Sequence, residues 1–342
     1  MNRLANKQKK LFEDDLSPLE YEQKQKEFIE LYYKLREKEA NRWYSKLTLE
    51  QRKKIHPYIL KTYKFKNEKI SKFSYEVIKD ERGDVASLKR PIIYALTHVG
   101  KFDIEVTSIA IQDHYYLLSG DFEHIQGKLD SPFLGMNGVF YFNEIVKEDR
   151  QDVSKRMIEH LHQKGNLMYF IEGTWNISPN LPMLPCYWGI IDVARAGNAI
   201  IVPVGVEQYG KKFKINIGKV FDVNLYPEGT CGKSKAIEDL RDILATLKWE
   251  IWETEQTTRD AISNDYWEKY VKARFREWPY FNEEYIKRLI YKPKGVYTEE
   301  EVFAPIYKLR KTDELEYVVK VKRKKVVAKR KKEKGRILKK AF

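Results

Sequence analysis

The spacing of apolar positions changes twice along the chain. From Leu19 to Trp43 the sequence is charge-rich, with Phe28, Leu31, Tyr32 and Leu35 at the three- and four-residue intervals of one helix face. A second helical stretch runs from Thr48, a predicted N-cap, to Tyr63, with Pro57 expected to interrupt it. From residue 73 the pattern shortens. FSYEVI (73–78), PIIYALT (91–97), YYLLS (115–119), VFYF (139–142), LMYFI (167–171) and IIVPVGV (200–206) are short and rich in β-branched and aromatic residues, so they predict strands. Helical spacing returns between them, at about 103–113, 150–164 and 186–197. FKINIGKVFDV (213–223) alternates as an edge strand does. After Lys235 the chain reads as helical again, through Trp249, Trp252 and Trp267 to about Tyr291.

Strands alternating with single helices, several strands being apolar on both faces, predict an α/β fold. Its mainly parallel twisted sheet is covered by helices, with helical N- and C-terminal additions. The expected division is a helical N-terminal region (1–65), an α/β core (66–232), a helical C-terminal region (233–295) and an extension ending in a basic tail (296–342). No repeat of 20–50 residues is visible.

Composition narrows the class. With 342 residues, 42% hydrophobic and 13% aromatic, the chain can bury a core and is not disordered overall. Two cysteines, Cys186 and Cys231, exclude a disulfide scaffold and a Cys-rich zinc site. No apolar run approaches the ~18 residues that span a bilayer, and MNRLANKQKKLFEDD lacks the apolar segment of a signal peptide. The expected location is cytoplasmic. The net charge of +14 is concentrated: residues 320–342 hold thirteen Lys or Arg against Glu333, a local +12. Such a tail suits an anionic membrane leaflet, a nucleic acid or simple solubility, although Phe342 alone offers a ring for base stacking.

The candidate chemistry begins at HVGKFD. His98 follows an apolar strand, so it stands at the carboxyl end where open α/β sheets bind ligands. Gly100 permits a tight turn, and Asp103 falls near the start of the next helix, from which its carboxylate can return to one imidazole nitrogen. Such a pair makes a general base for an alcohol. A strand-end His beside a helix-capping Asp would give the same spacing. Three further features follow in order: Gly138 opening GVFYFN, Glu172-Gly173-Thr174 after LMYFI, and Val202-Pro203-Val204 within a strand.

With that ordered set, residues 91–225 resemble the glycerolipid acyltransferase superfamily, whose bacterial members make phosphatidic acid from lysophosphatidic acid. The family is marked by HxxxxD, a Gly-led hydrophobic motif ending in Arg, FPEGTR, and an apolar V-P-V strand. The resemblance implies transfer of an acyl group from acyl-CoA or acyl-ACP (acyl carrier protein) to a hydroxyl, with no permanently bound cofactor and no metal. It implies His98 as base and Asp103 as its orienting acid, with Gly138, Glu172, Gly173, Thr174, Trp175 and Pro203 at the substrate. Glu172 would orient the acceptor or a neighbouring loop. Pro203 would either shape the acyl channel or mark a bulge or edge. A second EGT, Glu228-Gly229-Thr230, lies after the V-P-V strand in a polar turn and breaks the family order; its GTCGKS ending lacks the first Gly of a P-loop, which is Pro227 here.

Two departures stand out. Where the family closes its second and third motifs with phosphate-holding Arg, this chain has Glu144 and Trp175. Lys147 and Arg150 lie nearby as alternative cations or exposed helix-start charges. With Trp175, Tyr187 and Trp188, the expectation is an aromatic, cation-poor wall suited to a neutral or sugar-like hydroxyl of a lipid or glycolipid. The expected partners are the acyl thioester, that acceptor, acyl carrier protein and an anionic membrane surface, with the protein peripheral to the inner face of the cell membrane. A nucleic-acid partner leaves HVGKFD and EGT unexplained. A non-catalytic lipid-binding or scaffold protein with the same fold is the alternative.

Overall fold

A computed structural model describes residues 3–11, 16–128, 130–178, 181–255, 264–279 and 281–291. The basic tail, and the expected extension from residue 296, lie outside the described residues. The N-terminal helices are α1 (Arg3–Leu11), α2 (Pro18–Ala40) and α3 (Leu49–Phe65). Ser17 and Thr48 cap α2 and α3 through reciprocal bonds with Glu20 and Gln51, which satisfies backbone donors that the first turn leaves open. Pro57 does not break α3, which runs unbroken through it; the residue is exposed, so solvent can reach the carbonyl deprived of a donor.

Seven strands follow: β1 (Ser74–Asp80), β2 (Ile92–Leu96), β3 (Tyr116–Ser119), β4 (Val139–Tyr141), β5 (Leu167–Phe170), β6 (Ile200–Tyr209) and β7 (Lys212–Ile217). They form one sheet in the order β1-β7-β6-β2-β5-β3-β4. Every neighbouring pair is parallel except β6 and β7, which form a hairpin around Gly210 at φ +57. The parallel pairs require crossovers, supplied by α4 (Asp103–Ile111), α5 (Phe122–Ile125), α6 (Asp130–Asn137), α7 (Lys147–His162) and α8 (Gly189–Ala196). The helices α9 (Thr230–Thr254), α10 (Asn264–Glu277) and α11 (Glu283–Leu289) close the described chain.

The α/β expectation therefore holds, with one change of place. β7 is not an edge strand, because β1 pairs in parallel on its outer side and leaves β1 and β4 as the edges. The two sheet faces build separate cores, as side-chain alternation requires. Tyr94 and Leu96 of β2 face a cluster with Phe28 and Tyr32 of α2 and Val106 of α4. Ile93 and Ala95 face the opposite cluster with Met157, Ile190 and Leu244 of α7, α8 and α9. The apolar stripe of α2 is thus spent on the core, Phe28 and Tyr32 being buried and Leu31 and Leu35 packed against it.

Candidate active site

β2 lies at the centre of the sheet, and its carboxyl end is pinned to β6: the Thr97 hydroxyl accepts from the Val206 N–H at 2.9 Å. The chain then turns through Val99 and Gly100 into α4. That turn brings Asp103, fully buried in the first turn of α4, back to His98. Its Oδ2 lies 2.8 Å from His98 Nδ1 and accepts the backbone N–H groups of Val99 at 2.8 Å and Gly100 at 3.1 Å. Two backbone donors and the helix N-terminus fix the carboxylate, so it can fix the imidazole. Nε2 is left as the nitrogen that can exchange a proton. The ring stacks on Phe170 of β5 at 4.1 Å and meets Trp175 edge-on at 6.1 Å.

Glu172 holds this loop from the neighbouring strand. Its Oε1 accepts the His98 N–H at 3.0 Å and its Oε2 the Leu184 N–H at 2.8 Å, with the side chain wholly buried. Burial raises its pKa, and the nearby Lys248 charge and the two backbone donors oppose that rise. Of the two roles the resemblance gives this residue, the bonds seen are those that orient a neighbouring loop.

His98 opens onto a groove of ≈ 80 Å³. Its apolar wall includes Tyr63 of α3, Ile104, Ile125 and Leu134. Trp175, Trp278 and Phe281 also line it, the Trp175 and Phe281 ring centroids lying 4.7 Å apart. The groove carries charge of both signs, with Glu105 and Asp121 lining it as well as two lysines. Lys101 and Lys128 both line it and both address the Trp278 ring, their Nζ atoms 5.0 and 3.4 Å from its centroid. Lys101 sits inside HVGKFD and could have been read from its neighbours; Tyr63, Lys128, Trp278 and Phe281 carry no sequence signal linking them to His98.

The remaining predicted residues divide. Trp175 lines the groove, whereas Gly138, Gly173, Thr174 and Pro203 are not among its lining residues. Gly138 has φ +116, and a Cβ there would meet the Tyr116 ring at 2.4 Å; Gly173 has φ +71, and a Cβ there would meet the Tyr187 ring at 2.5 Å. Both are glycines of backbone shape and close packing. Thr174, next to Gly173 in the chain, is buried. Pro203 lies inside the sheet, just beyond the last β6–β7 pair, Val204 with Ile217, and before the isolated bridge of Ile201 with Phe221. The partner chain bulges there, and Gly218 N–H donates to the Pro203 carbonyl at 2.8 Å. Pro203 thus occupies an irregular point where no ladder donor is needed. Tyr187 and Trp188 are partly exposed and do not line the groove.

Glu144 is partly buried, and burial followed by the Asp121 charge pushes its pKa up to about 7. Arg150 donates to the Glu144 carbonyl, and Lys147 is an exposed residue in the first turn of α7. Asp121, Glu123 and His124 bring ligand atoms within 4.8 Å of one another. Glu123 does not suit a cation, since it is buried against Gln8 and burial holds its carboxyl well above the usual range. The second EGT begins α9, with Gly229 at φ +87 and all three residues exposed.

A buried carboxylate holds an imidazole at the carboxyl end of a central strand, beside an apolar groove, an arrangement that can chemically serve proton transfer. Residues 66–207 match the family model described as Acyltransferase. Among solved structures, the chain is similar to the 1-acyl-sn-glycerophosphate (LPA) acyltransferase PlsC from Thermotoga maritima. The likeness is 14% identical with a TM-score of 0.46, and it covers 65% of this chain and 88% of that one. No curated protein matches the chain.

Proposed function

We propose that this acyltransferase moves a fatty acyl group from an acyl thioester, acyl-CoA or acyl-ACP, to a hydroxyl of a lipid or glycolipid at the inner face of the cell membrane. The observation that carries the reading is the His98–Asp103 pair at 2.8 Å on the rim of a largely apolar groove. In the reaction, His98 Nε2 takes the proton of the acceptor hydroxyl as its oxygen attacks the thioester carbonyl. Asp103 steadies the imidazolium through Nδ1. Collapse of the tetrahedral intermediate breaks the carbon–sulfur bond, and the departing thiolate takes the proton from His98. No acyl-enzyme forms, and the ester and free thiol balance the reactants.

The wall of Ile104, Ile125 and Leu134 suits an acyl chain, and Lys101 and Lys128 offer charge to an anionic group on either substrate. An acidic group on the acceptor therefore has partners here despite Glu144 and Trp175, and a lysophosphatidic acid-like acceptor joins the neutral ones. Among the described residues no helix is long and apolar enough to cross a membrane. A peripheral enzyme reaching lipid at a bilayer surface accords with that.

The test is release of free thiol from acyl thioesters in the presence of a panel of lipid acceptors. Wild-type protein should turn over at least one acceptor, and His98→Ala should lose about 10²–10⁴-fold in kcat with an unchanged melting temperature. A His98→Ala protein as active as wild type would overturn the mechanism.

A further inference from the structure

Helix α3 carries two unlike faces. Arg52, His56, Ile59 and Tyr63 point inward and are buried, and Tyr63 reaches the groove of His98. On the outside, Lys54, Tyr58, Lys61, Phe65 and Lys69 recur at helical intervals and are all exposed, the last within the π-helical turn Lys66–Ser71. Tyr58, Phe65 and Ile70 are large apolar residues left 68%, 61% and 69% exposed. Lys61 Nζ lies 5.6 Å over the Tyr58 ring. Residues 49–72 hold eight Lys or Arg against two Glu. Glu50 and Glu68 are engaged by Lys53 and Lys64, and Lys66 pairs with Glu105 on the groove side. Among the described residues, Lys54, Lys61, Lys69 and Lys72 have no carboxylate partner.

We infer that this outward face of α3 is the surface by which the protein docks on an anionic bilayer, presenting the groove to its lipid acceptor. Three large apolar side chains left exposed within the thirteen residues 58–70 are more than scattered surface residues. Their alternation with lysines along one helix is the composition of an element lying in a lipid interface, where rings enter the headgroup layer and ammonium groups meet anionic lipid. The face rests on the acyltransferase reading in one respect: a lipid leaving the bilayer beneath α3 has only the width of one helix, about 10–12 Å, between it and the groove. An acidic carrier protein would match the lysines as well, but it would not bring an embedded lipid to Tyr63. The α2 stripe cannot serve, being buried in the core.

The experiment is sedimentation of the full chain with vesicles of phosphatidylcholine alone or with one-third phosphatidylglycerol. Tyr58→Ser/Phe65→Ser/Ile70→Ser leaves every charge in place, so it separates this face from the basic tail. It should weaken partitioning at least tenfold, and Lys54→Glu/Lys61→Glu/Lys69→Glu should remove most of the gain from phosphatidylglycerol. On a dispersed short-chain acceptor both variants should keep wild-type turnover, while turnover of a vesicle-embedded acceptor falls with binding. His98→Ala should bind vesicles normally and turn over neither acceptor. Unchanged partitioning of both variants, or binding to acyl carrier protein with none to vesicles, would overturn the inference. Vesicle binding through this face without acyl transfer by wild type would overturn the enzymatic reading and leave the docking face standing.

Discussion

Replacing Glu172 with Gln separates a loop tether from a substrate contact. The carboxylate accepts two backbone N–H groups, from His98 at 3.0 Å and Leu184 at 2.8 Å, in a wholly buried position. A glutamine amide keeps one acceptor oxygen and turns its NH₂ toward the other N–H, leaving a buried donor unsatisfied. That costs about 1–3 kcal/mol. Burial already raises the carboxyl pKa, so removing the charge offsets part of the loss and places the expectation in the lower half of that range. At about 2–4 °C per kcal/mol for a domain of this size, melting should fall by a few degrees. The His98 backbone loses its anchor at the same time, and a shift of the base of about 1 Å can cost ~10²-fold in rate. Glu172→Gln should therefore lower the melting temperature and kcat while leaving the acceptor KM nearly unchanged. Calorimetry and acceptor titration measure both. Unchanged melting with a raised acceptor KM would show that the carboxylate meets the substrate, and would refute the tether.

Other outcomes follow from the same geometry. Lys101→Met and Lys128→Met should each raise KM about tenfold for a phosphate-bearing acceptor, worth about 1.4 kcal/mol, and leave a neutral acceptor nearly unaffected; equal effects on both acceptors would deny them a role in charge recognition. Burial, and then the Asp121 charge, push the Glu144 carboxyl up to about 7 from its ordinary 4.5. The folded state thus holds an extra proton between those values, and stability is lost as pH rises from about 4.5 through 7. Glu144→Gln should remove that loss, a relative gain of about 1–3 kcal/mol at pH 8 over pH 4, read from urea midpoints. Gly138→Ala would set a Cβ 2.4 Å from the Tyr116 ring at φ +116, so it should cost about 1–3 kcal/mol in stability without a change in KM; a raised KM at full stability would return Gly138 to the substrate.

Local pattern told most about what local forces decide. Every predicted strand is present, although the one expected over 213–223 already ends at Ile217, because apolar runs bounded by turn residues have few other stable conformations. The capped start of α3 and the His98–Asp103 pair were readable because the interacting groups lie within five residues of one another. Pro57 misled because a helix held by tertiary packing tolerates one missing bond. That glycines 138 and 173 sit against the Tyr116 and Tyr187 rings was not readable, since those neighbours come from elsewhere in the chain.

By itself, then, the sequence determined the alternation of strands and helices and the His98–Asp103 contact, both products of short-range geometry. Only the tertiary structure decided that β1 covers β7, that α2 faces inward while α3 shows lysines and aromatic rings to solvent, and that Lys128, Trp278 and Phe281 converge on His98. Such contacts join residues many positions apart, and which of them form is fixed by how all the helices share the two faces of one sheet.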